Sequence, residues 1–335
     1  MTRFVTSIRE AWLQLHGVLC VYKPPRMSSE RLRYCVINNI CRDINQLEPQ
    51  EPRAFVKIEP KIRQLESEDQ AAPSEYSIIK TTNLADLELV SGPPIKIEDI
   101  RCSWASTLGW RTSGVMIFGI NDGNKNMRKL VESRPLSVYQ IKGLFGLATD
   151  NHWNDGKVFE KTINPYITKV KIDRVLASIQ SSNQRNMFDY CGVDPTSQTA
   201  YELASKGLLR PAVKGPTLVY SIKCIAFEPP NFTLEIHCIN ENEHYLSLLV
   251  HDLGLSLKTS AVCEQIRCIR YGCFTVEDAL LRKHWSMEHF PQHMVQNWET
   301  LSTYLTKVTP NFTNYTKPHE SESRQKDETR INRKI

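Results

Sequence analysis

The sequence lacks several patterns that mark particular classes of protein. Its 335 residues contain no apolar run of transmembrane length, so no membrane association is expected. No secretory signal is visible. None of its ten cysteines forms a C-x-x-C pair. The nearest thing to a metal cluster is Cys263, Cys268 and Cys273, and five-residue steps point thiols in different directions on a helix. We therefore expect no bound metal.

Charge is modest overall but uneven along the chain. The sequence has 42 lysines and arginines against 37 acidic residues, a formal net charge of +5. Acidic residues outnumber basic ones in residues 43–100, so the remainder is more basic than the total suggests. A basic body indicates a polyanion such as RNA as partner, although a solvated basic surface explains the same distribution.

Proline, glycine and charge divide the chain into segments. Residues 1–15 form an N-terminal extension that suits either a mitochondrial targeting segment or an ordinary first helix. Residues 43–100 contain six of the eighteen prolines and one glycine, which predicts an acidic, partly disordered insertion. That insertion interrupts a main domain over residues 16–290. Residues 291–335 predict a C-terminal helix followed by a disordered tail.

Strand and helix patterns alternate without strict βαβ order, which indicates an α+β domain. The clearest strand signals are the apolar run at 114–120 and the alternation over 233–239. Thr275, followed three residues later by Asp278, predicts the start of a helix.

Four segments, in order, carry the pattern of a known family. They are "HGVLCVYKPPRMSS" from residue 16, "LGWRTSGVMIFG" from residue 108, "VYQIKGLFGLATDNHWNDG" from residue 138 and "HYLSLLVHDLGLSLKTSAVCEQIRCIRYGCFTVEDAL" from residue 244. Together they resemble the TruB-type pseudouridine synthases over about residues 15–282, less the insertion. The details "KGLLRP" and "LKTSAVC" are most similar to the second, mitochondrial TruB-like branch of animals.

The resemblance implies a fold, an activity and a location. The fold is the pseudouridine-synthase fold, in which a mixed, mostly antiparallel sheet is flanked by helices around a central cleft. The activity is isomerisation of uridine to pseudouridine in a structured RNA, such as a tRNA or a mitochondrial rRNA or mRNA, without a cofactor or a metal. The resemblance also implies a mitochondrial monomer. After Trp285 nothing resembles the C-terminal RNA-binding barrel of many relatives, so the main domain would hold the RNA.

The resemblance assigns RNA-binding residues by position. Tyr139 takes the position that stacks on a flipped uridine, and Lys23 takes one that supports the pocket or meets a phosphate. Tyr190 and Arg267 fall at further RNA-binding positions. From the residues alone, Tyr139 is also compatible with a strand residue that packs inward, and Lys23 with a solvated turn lysine.

The catalytic positions of the family hold other residues here. The essential aspartate falls on Gly109, and the arginine that pairs with it falls on Ser247. Because glycine has no side chain to act as nucleophile or base, the resemblance predicts an RNA-binding protein that flips a uridine but is catalytically impaired. Two alternatives stay open. One is an active synthase that uses another carboxylate, with Asp99 and Asp122 as candidates, and the other is a protein-interaction scaffold.

Overall fold

Helices and strands alternate along the part of the chain that the computed structural model describes, which is residues 8–47, 54–60, 76–82, 90, 92–163, 166–205 and 215–312. Its helices are α1 (Ile8–Gln14), α2 (Ser29–Asn45), α3 (Asn124–Glu132), α4 (Lys169–Cys191), α5 (Gln198–Ser205), α6 (Glu243–Ser256) and α7 (Phe290–Phe312). Its strands are β1 (Gly17–Lys23), β2 (Ala54–Pro60), β3 (Tyr76–Thr82), β4 (Cys102–Trp104), β5 (Ser113–Ile120), β6 (Ser137–Phe145), β7 (Leu147–Thr149), β8 (Val158–Lys161), β9 (Leu218–Glu228), β10 (Asn231–Ile239), β11 (Ala261–Tyr271) and β12 (Phe274–Thr275).

Eight of these strands form one mixed sheet. Its order is β1-β5-β11-β6-β10-β9, with β12 paired to β11 and β4 paired to β5. Every pairing in it is antiparallel except that of β5 with β11. The α+β class and the mostly antiparallel sheet that the sequence predicts are therefore confirmed. Two further pairs, β2 with β3 and β7 with β8, form separate ribbons, and the first lies within the acidic insertion.

Apolar patterning explains the central strand and the helix beside it. All eight residues of β5 are buried, as expected for a strand with neighbours on both edges and covered faces. Along α2, Leu32, Val36, Ile40 and Ile44 are fully buried and recur every four residues, which gives the helix one apolar stripe. Ser28 caps the first turn of this helix through its side chain.

The prediction that a helix begins after Thr275 is wrong. Thr275 ends β12, and its backbone N–H and its hydroxyl both donate to the Asp278 carboxylate at 2.8 Å, which closes a turn. Leu280 then pairs with β1: its N–H donates to the Cys20 carbonyl at 3.1 Å, and its carbonyl accepts from the Tyr22 N–H at 3.0 Å. Tertiary pairing with the sheet therefore overrides a local helix signal.

The two ends of the described chain are helical. In α1, Ala11 is fully buried and Trp12 is half-buried, so the helix packs against the core. Residues 1–7, the start of the possible targeting segment, and residues 313–335, where the tail is predicted, lie outside the described residues. None of the helices within the described ranges is both long and apolar enough to cross a membrane.

We expect Gly114→Ala to weaken the junction between β5 and β11. Gly114 has a φ of +125°, and a Cβ there would lie 2.6 Å from the Cys268 backbone nitrogen. Because both the backbone conformation and the overlap oppose a side chain, the free energy of unfolding should fall by about 2 kcal/mol or more.

Urea unfolding measures this loss, and Gly92→Ala is the matched control. Gly92 also has a positive φ, +74°, but the nearest atom to its added Cβ is Lys96 Cε at 3.9 Å. The control should therefore lose only about 1 kcal/mol through backbone strain. Equal losses in the two variants would contradict the steric argument.

Candidate functional site

The connection between β4 and β5, residues 105–112, carries Gly109 and is called the 109 loop below. Lys23, the last residue of β1, is fully buried against it. The Lys23 Nζ donates to the Gly109 carbonyl at 2.8 Å and to the Thr112 carbonyl at 2.6 Å. Burial lowers the pKa of Lys23 to about 8, and the Glu243 carboxylate opposes that shift. In this structure Lys23 therefore supports the loop and has no exposed surface.

Glu243, the first residue of α6, holds the other side of the 109 loop. Its Oε2 accepts from the backbone N–H of Arg111 at 2.9 Å, from that of Thr112 at 2.8 Å and from the Thr112 hydroxyl at 2.7 Å. Asn242 caps the helix, and the helix dipole favours a carboxylate in the first turn. A Cβ built on Gly109 would overlap this carboxylate and lie 2.5 Å from the Glu243 Cβ. Glu243 thus fills the space that a side chain at position 109 would need.

Ser247, which the resemblance assigns to the position of the family arginine, lies one turn further along α6. Its side chain is 1% exposed, and its hydroxyl donates to the His244 carbonyl at 3.0 Å. The described contacts of this side chain therefore keep it within its own helix. It supplies no cation to the 109 loop.

Tyr139, the expected stacking residue, is covered. It lies on β6, only 3% of its surface is exposed, and its hydroxyl donates to Glu241 Oε1 at 2.7 Å. Burial raises the pKa of Tyr139, and the Glu241 carboxylate raises it further. The ring packs with the main hydrophobic core of the sheet. A second carboxylate, two residues before Glu243, is therefore hydrogen-bonded to this tyrosine.

Arg267 and Tyr190 occupy different surroundings. Arg267, on β11, pairs in register with Ser113 at the start of β5, and its guanidinium lies 5.5 Å from the ring centroid of Tyr22. Because Tyr22 precedes Lys23 on β1, the structure brings Arg267 and Lys23 into one region of the sheet. Tyr190, near the end of α4, is 44% exposed, and no contact within the described ranges joins it to the 109 loop.

An aromatic and charged rim borders the 109 loop, and sequence reasoning did not single it out. Trp110 is 50% exposed. The Arg111 guanidinium lies 5.8 Å from the Trp110 ring centroid and 5.4 Å from that of Trp153, and it pairs with Asp155 at 3.2 Å. The available signal was a tryptophan beside a glycine, in a loop with no charged residue before Arg111. The rim thus consists of Trp110, Arg111, Trp153 and Asp155.

Asp99 and Asp122, the acids that the sequence analysis considered as alternatives to a carboxylate at position 109, are bound elsewhere. The Asp99 carboxylate accepts from the Lys96 N–H at 2.8 Å within its own turn. Asp122 lies 3.0 Å from His16 Nδ1 and 3.6 Å from Lys125 Nζ. Among the acids in the described residues, Glu243 accepts hydrogen bonds from the backbone of the 109 loop, whereas Asp155 contacts only the Arg111 side chain. Across the described ranges, no group of three His, Cys, Asp or Glu side chains is arranged to hold a metal ion.

Comparison with known proteins finds a family and several relatives. Residues 95–243 match the family described as TruB family pseudouridylate synthase (N terminal domain). The chain is 38% identical over 275 residues to the mitochondrial pseudouridylate synthase TRUB2 of Xenopus tropicalis, with 82% of each protein covered. It is 35% identical over 276 residues to human mitochondrial TRUB2, with 82% of this chain and 81% of that protein covered. Human pseudouridylate synthase TRUB1 is 27% identical over 201 residues, covering 59% of this chain and 56% of that protein. The mitochondrial relatives support the predicted mitochondrial location.

Burial of Lys23 predicts a pH-dependent contribution to stability. Its pKa falls from 10.5 to about 8 on folding, so between these pH values the unfolded chain holds a proton that the folded protein has released. Stability therefore rises with pH between about 8 and 10.5, and it levels off below about 8, where the folded and unfolded states both hold the proton. The free energy of unfolding of the wild type minus that of Lys23→Met should rise by about 1–3 kcal/mol between pH 7.5 and 10.

Denaturant unfolding across this pH range measures the difference. The control is Lys142→Met, which replaces an exposed lysine. A wild-type-minus-Lys23→Met difference that stays flat, or that falls as pH rises, would contradict the account of this buried lysine.

Proposed function

Because the chain belongs to the TruB family of pseudouridylate synthases, we propose that it binds an RNA and receives a uridine against the 109 loop. The observation that carries the proposal is that Lys23 and Glu243 hold this loop while it presents the half-exposed Trp110. An indole face stacks on an unpaired base, and such contacts are worth about 1–3 kcal/mol each. Stacking of this size offsets the cost of taking a uridine out of its helix.

The residues assigned by resemblance take different roles in this proposal. Lys23 supports the loop from the core, and Tyr139 is buried on β6 with its hydroxyl bonded to Glu241. The exposed ring of Tyr190 and the half-buried Arg267 supply further contacts to the RNA. A tRNA or a mitochondrial rRNA or mRNA is the proposed partner, and a monomer is the proposed working form.

We propose further that residue 109 contributes nothing to bond breaking, so that the bound uridine is not converted efficiently. Removing a required nucleophile or base costs several orders of magnitude in rate. The nearby carboxylates are engaged with the protein: Glu241 accepts from Tyr139, and Oε2 of Glu243 accepts three hydrogen bonds. These bonds support a binding function over a catalytic one.

One observation favours a second candidate, an active synthase. Glu243 brings a carboxylate to the space beside Gly109, and its Oε1 accepts no hydrogen bond within the described residues. That oxygen would serve as the base at the ribose or uracil of the bound uridine. The reaction is an isomerisation and needs no co-reactant.

We expect the protein to bind cellular RNA without adding pseudouridine to it. Cells that lack the protein are compared with cells that re-express the wild type, Glu243→Gln or the control Asp99→Asn. RNA crosslinked to the protein is recovered, and pseudouridine is mapped across all cellular RNA. If the proposal is correct, RNA is crosslinked to the protein, and no pseudouridine site appears only in the cells that re-express it. Sites restored by the wild type and Asp99→Asn but not by Glu243→Gln would establish the second candidate instead.

We expect Trp110→Ala to weaken binding of an unmodified tRNA transcript by about 5- to 100-fold, because one stacking contact is lost. The matched control is Trp298→Ala on α7, a tryptophan with a similar exposed fraction of 48%. Titrations at several salt concentrations should give the same salt dependence for both variants, since neither removes a phosphate contact. Equal affinities for the two variants would contradict the role of Trp110.

A further inference from the structure

We propose that Glu243 is the positioning residue of the 109 loop, and that residue 109 is glycine because Glu243 occupies its side-chain space. Its effect on RNA rests on the proposed function, whereas its effect on the fold does not. The first observation is steric. A Cβ at position 109 would meet the Oε2, Cδ and Cβ atoms of Glu243, the last at 2.5 Å. Because Cβ is fixed close to the helix backbone, a rotation of the carboxylate alone does not clear this space.

The second observation is the polarity of the contacts. The N–H groups of Arg111 and Thr112 and the Thr112 hydroxyl point to one carboxylate oxygen, while the Gly109 and Thr112 carbonyls point to the Lys23 ammonium. The peptide groups of the loop are thus ordered between an anion and a cation. Without Glu243, partly buried N–H groups would lose their acceptor, which is costly.

Positions 109 and 243 are therefore a reciprocal pair. An aspartate at 109 would overlap Glu243 and would add a second negative charge beside it. Gly109→Asp alone, or combined only with Ser247→Arg, leaves that conflict in place. A carboxylate at position 109 becomes possible only when Glu243 is also replaced.

The pair also sets the position of the RNA-binding groups. Trp110 and Arg111 lie between the glycine that makes room for Glu243 and the threonine that donates to it. If the loop is not held by Glu243, the Trp110 ring no longer has a fixed orientation before RNA binds. Binding must then order the loop, and the entropy cost of that ordering lowers the affinity for RNA. Glu243 thus acts on RNA through the loop.

A double-mutant cycle in urea tests the steric claim without any RNA. Gly109→Ala and Glu243→Gly should each lower the unfolding midpoint. In the Glu243→Gly background, which removes the Glu243 Cβ as well as its carboxylate, the effect of Gly109→Ala on the folding equilibrium constant should shrink by about tenfold or more. Gly143→Ala is the control, because its Cβ would meet the Phe232 ring, with 2.8 Å to Cε2, far from this contact in the sequence. Its cost should be the same in both backgrounds. An equal cost of Gly109→Ala in both backgrounds would overturn the proposal.

A second measurement separates loop positioning from a merely structural role. Glu243→Ala and Glu243→Gln both remove the charge, but only glutamine keeps an oxygen that accepts from the loop N–H groups. Titration with an unmodified tRNA transcript should show binding about 5-fold or more weaker for Glu243→Ala than for Glu243→Gln. Adding Trp110→Ala should weaken Glu243→Gln but not Glu243→Ala. Equal affinities of the alanine and glutamine variants would overturn the positioning role. Failure of the wild type itself to bind RNA would instead refute the proposed function and leave the stability cycle to decide the steric pair.

Discussion

The 109 loop lies between a buried lysine and a carboxylate, and the arrangement of the site depends on that pair. The Lys23 ammonium donates to two loop carbonyls, and the Glu243 carboxylate accepts from two loop N–H groups. The two charges come from the end of β1 and the start of α6, so the loop is shaped by elements that lie far from it in the sequence. Because β1 and β5 are neighbours in the sheet, Lys23 reaches the loop directly.

The contacts at position 109 give Gly109 a structural interpretation that differs from the one suggested by the family pattern. The resemblance predicts that Gly109 stands where the family has an aspartate. In the structure its place is filled, because the Glu243 side chain occupies the space that a residue with a Cβ would need. Gly109 and Glu243 are packed against each other, and Ser247, one turn further along α6, is buried and uncharged.

The sequence was sufficient for the fold and for part of the site. The apolar run of β5 and the alternation of β10 are local patterns. The four family segments assigned Lys23 and Gly109 to functional positions, and in the structure the Lys23 Nζ donates to the Gly109 carbonyl. Glu243 was beyond such reasoning, because its partner Arg111 lies 132 positions away and no period or motif links the two. The helix predicted after Thr275 failed for a related reason, since pairing of Leu280 with β1 is a tertiary contact that local signals do not contain.

The central claim is that Glu243 holds the 109 loop, and amide hydrogen exchange at Arg111 and Thr112 tests it most directly. Both amide protons should be protected in the wild type and in Glu243→Gln, and should exchange faster in Glu243→Ala, while the amides of β5 keep their protection. If the two loop amides exchange equally fast in the wild type and in Glu243→Ala, Glu243 does not hold the loop and the account is contradicted.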